Sequence, residues 1–300
     1  MNQSHLAGVL STYNRSNAPS PGRFPALITA SFSHRWSAPG IGLLLSFLLF
    51  CGRAWTAENT NQAPGKLTID LASPPLMTGT FYEIGSHRKT ILFKYQRQAM
   101  RQGDLITVHQ TFTLPDGTVA CREIIHYHKN QLASYLMEDV RAHTRGSIVI
   151  EPDPKKSAHE RMLLEHWQGD GKNARVSRNS ELLQTNTLIS DTIYPHILEH
   201  WDELMHGNPV KFHFISLDPA ATFNFRLVLE PPAPGPDQSV VVVKMEPTNL
   251  ILAHWIRPIF FSIEKSPPHR VFSYTGRTTP RLPVDGKWKY ADAEAVFDWP

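Results

Sequence analysis

The residues best suited to chemistry are His196, Glu199 and His200, in the run His-Ile-Leu-Glu-His. Two histidines at i and i+4 share one face of a helix, and a glutamate between them can activate a metal-bound water. This H-x-x-E-H pattern supports one functional expectation. It is a zinc-dependent hydrolase, with His196 and His200 as metal ligands and Glu199 in the catalytic role. The competing expectation is that no metal binds and the three side chains sit on a solvated helix face.

The elements around the motif favour the second expectation. Thr192 to His206 reads as one amphipathic helix. Ile193, Tyr194, Ile197, Leu198, Trp201, Leu204 and Met205 fill one arc at 100° per residue, with Trp201 as the anchor against a sheet. His196, Glu199, His200, Asp202, Glu203 and His206 fill the opposite arc. Asp191 is placed to cap the start, Pro195 is tolerable in the first turn, and Gly207 can end the helix. Peptidases that carry H-x-x-E-H also use a distant acidic ligand, and no second helix here offers a clear glutamate.

Other candidates are sparser. His126 and His128 share one face of a strand with Ile124, a geometry compatible with metal ligation but lacking an identifiable third ligand. Cys121 reads as a small buried strand residue. Asp104, Asp116, Glu123 and Glu138 read as exposed acids, because pairing carboxylates for glycoside hydrolysis requires distances that sequence does not supply. There is no G-x-S-x-G elbow, no phosphate-binding P-loop and no dinucleotide fingerprint.

Most of the chain after Leu67 reads as short strands separated by turn residues. In Leu105 to Leu114, Ile106, Val108, Gln110, Phe112 and Leu114 share one face, while Thr107, His109, Thr111 and Thr113 share the other. Pro115-Asp116-Gly117 turns the chain into Thr118 to His128, which completes a hairpin. Further strands are expected over 90–96, 132–137, 147–151, 212–217, 223–229, 240–245, 259–263, 270–274, 287–290 and 295–299. Pro231 to Pro236 forms a stiff loop. Leu250 to Phe261 is the most apolar stretch after residue 57 and is expected to be a buried connection entering a strand. A greasy lip of a ligand cavity, or a patch touching lipid, is the other reading. Aromatic residues recur in the strand-like runs, from Phe81, Tyr82, Phe93, Tyr95 and Phe112 to Phe212, Phe214, Phe223, Phe225, Phe260, Phe261, Phe272 and Tyr274. Packing accounts for most of them. The remainder could line the concave face of a curved sheet and receive an acyl chain.

The first 57 residues carry Arg15, Arg23, Arg35 and Arg53 and no acidic residue. They hold an apolar run over 41–51, the length of an export-signal core and too short for a confident membrane anchor. Cleavage after Ala54 or Ala57, an uncleaved anchor and lipidation at Cys51 all remain open. So do a start nearer residues 25–40 and a mitochondrial transit peptide. The compact apolar block favours export, hence a periplasmic or secreted protein. Residues 58–66 read as a linker and 67–300 as a single β-rich domain. The whole chain has 30 basic and 27 acidic residues. Without the leader's four cations the balance is 26 against 27, so there is no charge surplus for nucleic-acid binding. Only Cys121 follows the leader, so no internal disulfide is expected there.

The order of elements is strands, then a helix ending in Trp201-Asp-Glu-Leu-Met-His-Gly207, then more strands. These carry Tyr274-Thr-Gly276 and Gly286-Lys-Trp-Lys-Tyr290. Over 67–299 this resembles uncharacterised bacterial envelope proteins whose sheets curl into an open half-barrel, similar to periplasmic lipoprotein carriers. The resemblance implies a curved sheet wrapped round a helix and an apolar ligand, and it transfers no catalytic residue. The expected fold is therefore mainly β: a curved antiparallel sheet, an open half-barrel, with one packed amphipathic helix. The expected function is binding of a lipid-like or other apolar ligand, or of an envelope partner, without catalysis and without a cofactor. The alternatives are the zinc hydrolase and a structural or assembly role in the cell envelope.

Overall fold

The computed structural model describes residues 67–155, 159–169, 171, 174–231 and 239–299. The expected leader and linker lie outside the described residues, as does nearly all of the proline-rich loop.

The chain runs first through β1 (Leu76–Glu83), β2 (Ile91–Gln102), β3 (Leu105–Thr113), β4 (Val119–His128) and β5 (Gln131–Asp139). It continues through β6 (Thr144–Pro152), β7 (Glu160–Gln168) and β8 (Arg175–Leu182). The short β9 (Thr187–Leu188) leads into helices α1 (Ser190–Glu199) and α2 (Trp201–Met205). Then come β10 (Val210–Ser216), β11 (Ala221–Leu229), β12 (Val240–Pro247), helix α3 (Leu250–Trp255), β13 (Ile259–Glu264), β14 (Val271–Val284) and β15 (Lys287–Asp298). All fifteen strands belong to one sheet. Two meanders, β1 to β8 and β10 to β15, are joined where β1 pairs antiparallel with β15. The short β9 adds in parallel beside β10. The fold is thus mainly β, an open antiparallel sheet with short helices.

Period-two alternation builds the inner face. In β2 the buried positions are Phe93, Tyr95, Arg97 and Ala99. Register carries them across the neighbouring strands. Tyr95 lies beside Phe112, which lies beside Cys121, while Arg97 lies beside Gln110, which lies beside Glu123. A polar row therefore crosses an otherwise apolar surface. Residues such as Ile106, Ile125, Ile148 and Leu164 have no exposure, and burying each contributes about 1.5–3 kcal/mol. The expected 105–128 hairpin forms as β3 and β4. Its turn is held by the Asp116 carboxylate, which accepts from the Thr118 N–H at 2.9 Å, and Gly117 takes a positive φ of 88°.

Sheet order alone leaves β8 and β9 as edges, but the sheet curls. The turn between β10 and β11 reaches strands far from it in that order. Gly146 of β6 packs on Leu217, Asn179 of β8 donates to the Ala220 carbonyl at 3.2 Å, and Thr222, just inside β11, donates to Glu181 of β8. Asp218 in the same turn accepts from Arg281 of β14 at 2.5 Å and from Tyr290 of β15 at 3.2 Å. On the other side, the Asp139 carboxylate that ends β5 accepts from the Arg281 N–H at 2.8 Å. These links bend the sheet into an open half-barrel around α1.

Three expectations change. The single helix over 192–206 is two, broken at His200, whose φ and ψ of −106° and 22° leave the helical region. The run from Leu250 is not a buried connection. It begins as α3, capped by the Asn249 side chain, with Leu250 89% and Ile251 73% exposed. Strands β7 and β8 lie where no strand was expected. Strand β8 is almost wholly exposed, and its backbone pairing with β7 is what makes it a strand.

Candidate functional site

Helix α1 closes over the inner face of β2 to β4 and fixes the site. Asp191, in its first turn, does not cap the helix as its position suggested. Its carboxylate turns inward. Arg97 donates to it from Nε at 2.7 Å and from Nη2 at 3.2 Å, Gln110 from Nε2 at 2.6 Å, and Tyr127 from its hydroxyl at 2.9 Å. The remaining donors of Arg97 reach the carbonyls of Pro74 at 2.8 Å and Leu71 at 2.7 Å. Burial works against the Arg97 charge, yet the adjacent Asp191 raises its pKa above the ordinary value. The N-terminal end of α1 is instead closed by Thr192, whose hydroxyl accepts from the Ile189 N–H and donates to the Ile189 carbonyl, both at 3.0 Å.

Beside this network lies a cavity of about 410 Å³. Its walls come from β1 to β3, from β5, from β10 to β15 and from the first turns of α1. Eight of the thirteen aromatic residues singled out in the sequence line it, Phe81 and Tyr274 among them. Phe81 sits at the centre of an aromatic cluster, with ring centroids of Tyr95, Phe112, Tyr274 and Phe297 at 5.5–6.2 Å. Such edge-to-face and tilted arrangements are the favoured geometry for aromatic pairs. Arg97, Gln110 and Asp191 supply a polar patch in the wall. Arg277 also lines the cavity, is exposed, and holds its guanidinium 5.6 Å from the Tyr290 ring.

Two buried groups stand apart from the satisfied network. Glu123 is 1% exposed, so it is not the exposed acid expected from sequence. Neither carboxylate oxygen has a hydrogen-bond partner. The Tyr135 and Thr279 side chains approach it short of hydrogen-bond geometry. Burial raises its pKa to about 7; the Tyr135 and Thr279 side chains oppose that shift, and the Asp191 charge adds a smaller push upward. The other group is His196. Instead of facing solvent, it is fully buried, and both ring nitrogens lack partners. Burial first, and then His200, lowers its pKa to about 3.

The motif residues do come together. The ligating atoms of His196, Glu199 and His200 lie within 4.8 Å of one another, and the two imidazole centroids are 4.4 Å apart. Glu199 Oε1 accepts from the Thr68 hydroxyl at 2.6 Å and from the Thr68 N–H. None of the three lines the cavity. His126 and His128 acquire no third ligand among the described residues: His126 Nδ1 lies 3.2 Å from the Thr107 hydroxyl, and His128 is exposed. Cys121 is buried as expected, and burial pushes its thiol pKa up. Asp104, Asp116 and Glu138 are exposed.

Sequence reasoning overlooked Arg97, although the alternation Phe93-Tyr95-Arg97-Ala99 places it inward. No family model matches the chain, and neither does any curated protein. Among solved structures, it is similar to a beta-barrel-like protein of a domain of unknown function, DUF1849, from Brucella abortus. The identity is 10% and the TM-score 0.32, over 74% of this chain and 92% of that one.

Proposed function

We propose that this protein binds an apolar ligand with an acyl chain in the aromatic cavity and carries out no reaction on it. The observation that carries this reading is the cavity itself, about 410 Å³ and walled mainly by aromatic and aliphatic side chains. Small-molecule sites span about 300–1,000 Å³, with mostly apolar walls and a few placed polar groups. The Arg97, Gln110 and Asp191 patch in this wall is already committed. Asp191 is saturated by Arg97, Gln110 and Tyr127, and the other donors of Arg97 by the Pro74 and Leu71 carbonyls, which leaves a patch that offers an alkyl chain contact without competing hydrogen bonds. Arg277 forms no ion pair among the described residues and suits an anionic head group at the rim. The apolar run over 41–51 supports an exported protein that meets its ligand in the periplasm or outside the cell.

Titration of the purified protein with a conjugated polyene fatty acid tests this reading through the probe's fluorescence. The expected result is saturable binding of one probe per chain, weakened at least tenfold by Ile259→Trp, which fills space inside the cavity. Fluorescence that rises without saturating, or that ignores Ile259→Trp, would overturn the proposal. The zinc-hydrolase alternative gains no support from the cavity, because its motif residues lie elsewhere.

A further inference from the structure

We propose that His196, Glu199 and His200 form a zinc site at the junction of α1 and α2, separate from the cavity, which clips the chain at Thr68 to the helix. Three observations support it. The first is placement. Residues at i, i+3 and i+4 share a helix face, and the break at His200 keeps its N–H bonded to the His196 carbonyl at 3.2 Å. The ligand atoms already lie within 4.8 Å of one another. Tetrahedral zinc with bonds of about 2.0–2.1 Å wants its ligand atoms about 3.4 Å apart. Side-chain rotation of Glu199 and His200, both part-exposed, closes that gap.

The second observation is His196. A neutral imidazole carries one donor and one acceptor nitrogen. Here both are enclosed and neither has a partner. An unpartnered buried polar group is costly and rare. A metal ion at one nitrogen supplies one of the two missing partners without requiring charge on the ring. Phe212 packs against the ring at 5.9 Å between centroids and holds it towards His200.

The third observation is the support around the other two ligands. His200 Nδ1 lies 3.0 Å from a carboxylate oxygen of Glu203. With the proton on Nδ1, Nε2 carries the free lone pair. A carboxylate behind a histidine in this way is how ligating imidazoles are commonly oriented. Glu199 uses Oε1 for Thr68, and among the described residues Oε2 accepts no hydrogen bond. Two imidazoles and a carboxylate suit zinc, and three protein ligands leave a fourth position for water. This arrangement makes Glu199 a ligand that also bonds Thr68, rather than the base of a hydrolase.

The test is calorimetric titration of chelator-treated full-length protein with zinc chloride, paired with the visible spectrum of the cobalt(II) form. The expected result is one ion per chain and the intense absorption of tetrahedral cobalt. Both should be lost in His196→Phe and in His200→Gln; the latter site is part-exposed, so that variant keeps the fold. Glu203→Gln should weaken binding by roughly 10–100-fold. Absence of saturable zinc binding in the folded wild type would overturn the proposal. So would binding that His200→Gln leaves unchanged. Fatty-acid binding is expected to be the same in His200→Gln as in the wild type, so failure of this site and failure of the cavity reading are separately visible.

Discussion

The two ends of α1 treat buried polar groups in opposite ways. At its first turn, Asp191 accepts four hydrogen bonds from Arg97, Gln110 and Tyr127, and nothing in that network is left over. In its last turn, His196 is just as deeply enclosed and has no partner. A satisfied network strengthens the fold because each member would be costly alone. An unsatisfied group lowers stability and persists where something else requires it. The first turn therefore reads as architecture that shapes the cavity wall, and the last as a site that acquires a partner.

Breaking the satisfied end should produce the largest effect. Asp191→Ala leaves the Arg97 guanidinium buried without its counter-charge, and urea unfolding should show a loss of about 3–5 kcal/mol. A loss below about 1 kcal/mol would mean that the network contributes little.

Glu123 sharpens the comparison, since it sits in the same polar row as Arg97 and Gln110 but lacks their partners. Its carboxyl ionises near 4.5 in the unfolded chain and near 7 in the folded one. The folded state therefore holds the proton more tightly. The contribution of this group is fully present below pH 4.5, falls as the pH rises, and is lost once the pH passes about 7. Glu123→Gln should remove that slope and stabilise the protein at pH 8 by on the order of 3 kcal/mol. Parallel unfolding curves for the two proteins from pH 4.5 to 8 would contradict the assignment.

The curl that encloses the cavity is tested by Gly146→Ala. A Cβ there would stand 2.7 Å from the Leu217 Cβ and push the β10–β11 turn off β6. The expected cost is about 1–3 kcal/mol, with weaker fatty-acid binding measured on the same sample. Arg178→Ala breaks an ion pair to Glu165 whose arginine side chain is 67% exposed. It should change the midpoint of urea unfolding by the equivalent of less than about 1 kcal/mol.

Strand alternation made β2 to β5 readable, because a period of two assigns each side chain to a face without knowledge of the partner strand. The same rule places Arg97 and Glu123 inward. Treating Glu123 as an exposed acid put residue type above position. The Asp191 network was not readable, since its partners lie 94, 81 and 64 residues away and meet it only once the sheet curls. His196 was misplaced for a related reason. Dividing a helix into a dry and a wet arc assumes one packed face, whereas α1 also packs beside β10, where Phe212 covers the imidazole. Exposed β8 carries too few apolar residues to declare a period, and only its pairing with β7 defines it.

The most direct test of the central claim is mass spectrometry of the protein purified without detergent, first under native conditions and then after solvent extraction. The cavity account predicts one apolar molecule bound per chain, released by solvent and depleted in Ile259→Trp. A chain that carries no such molecule, and also fails to take up a fatty acid supplied in excess, would contradict it.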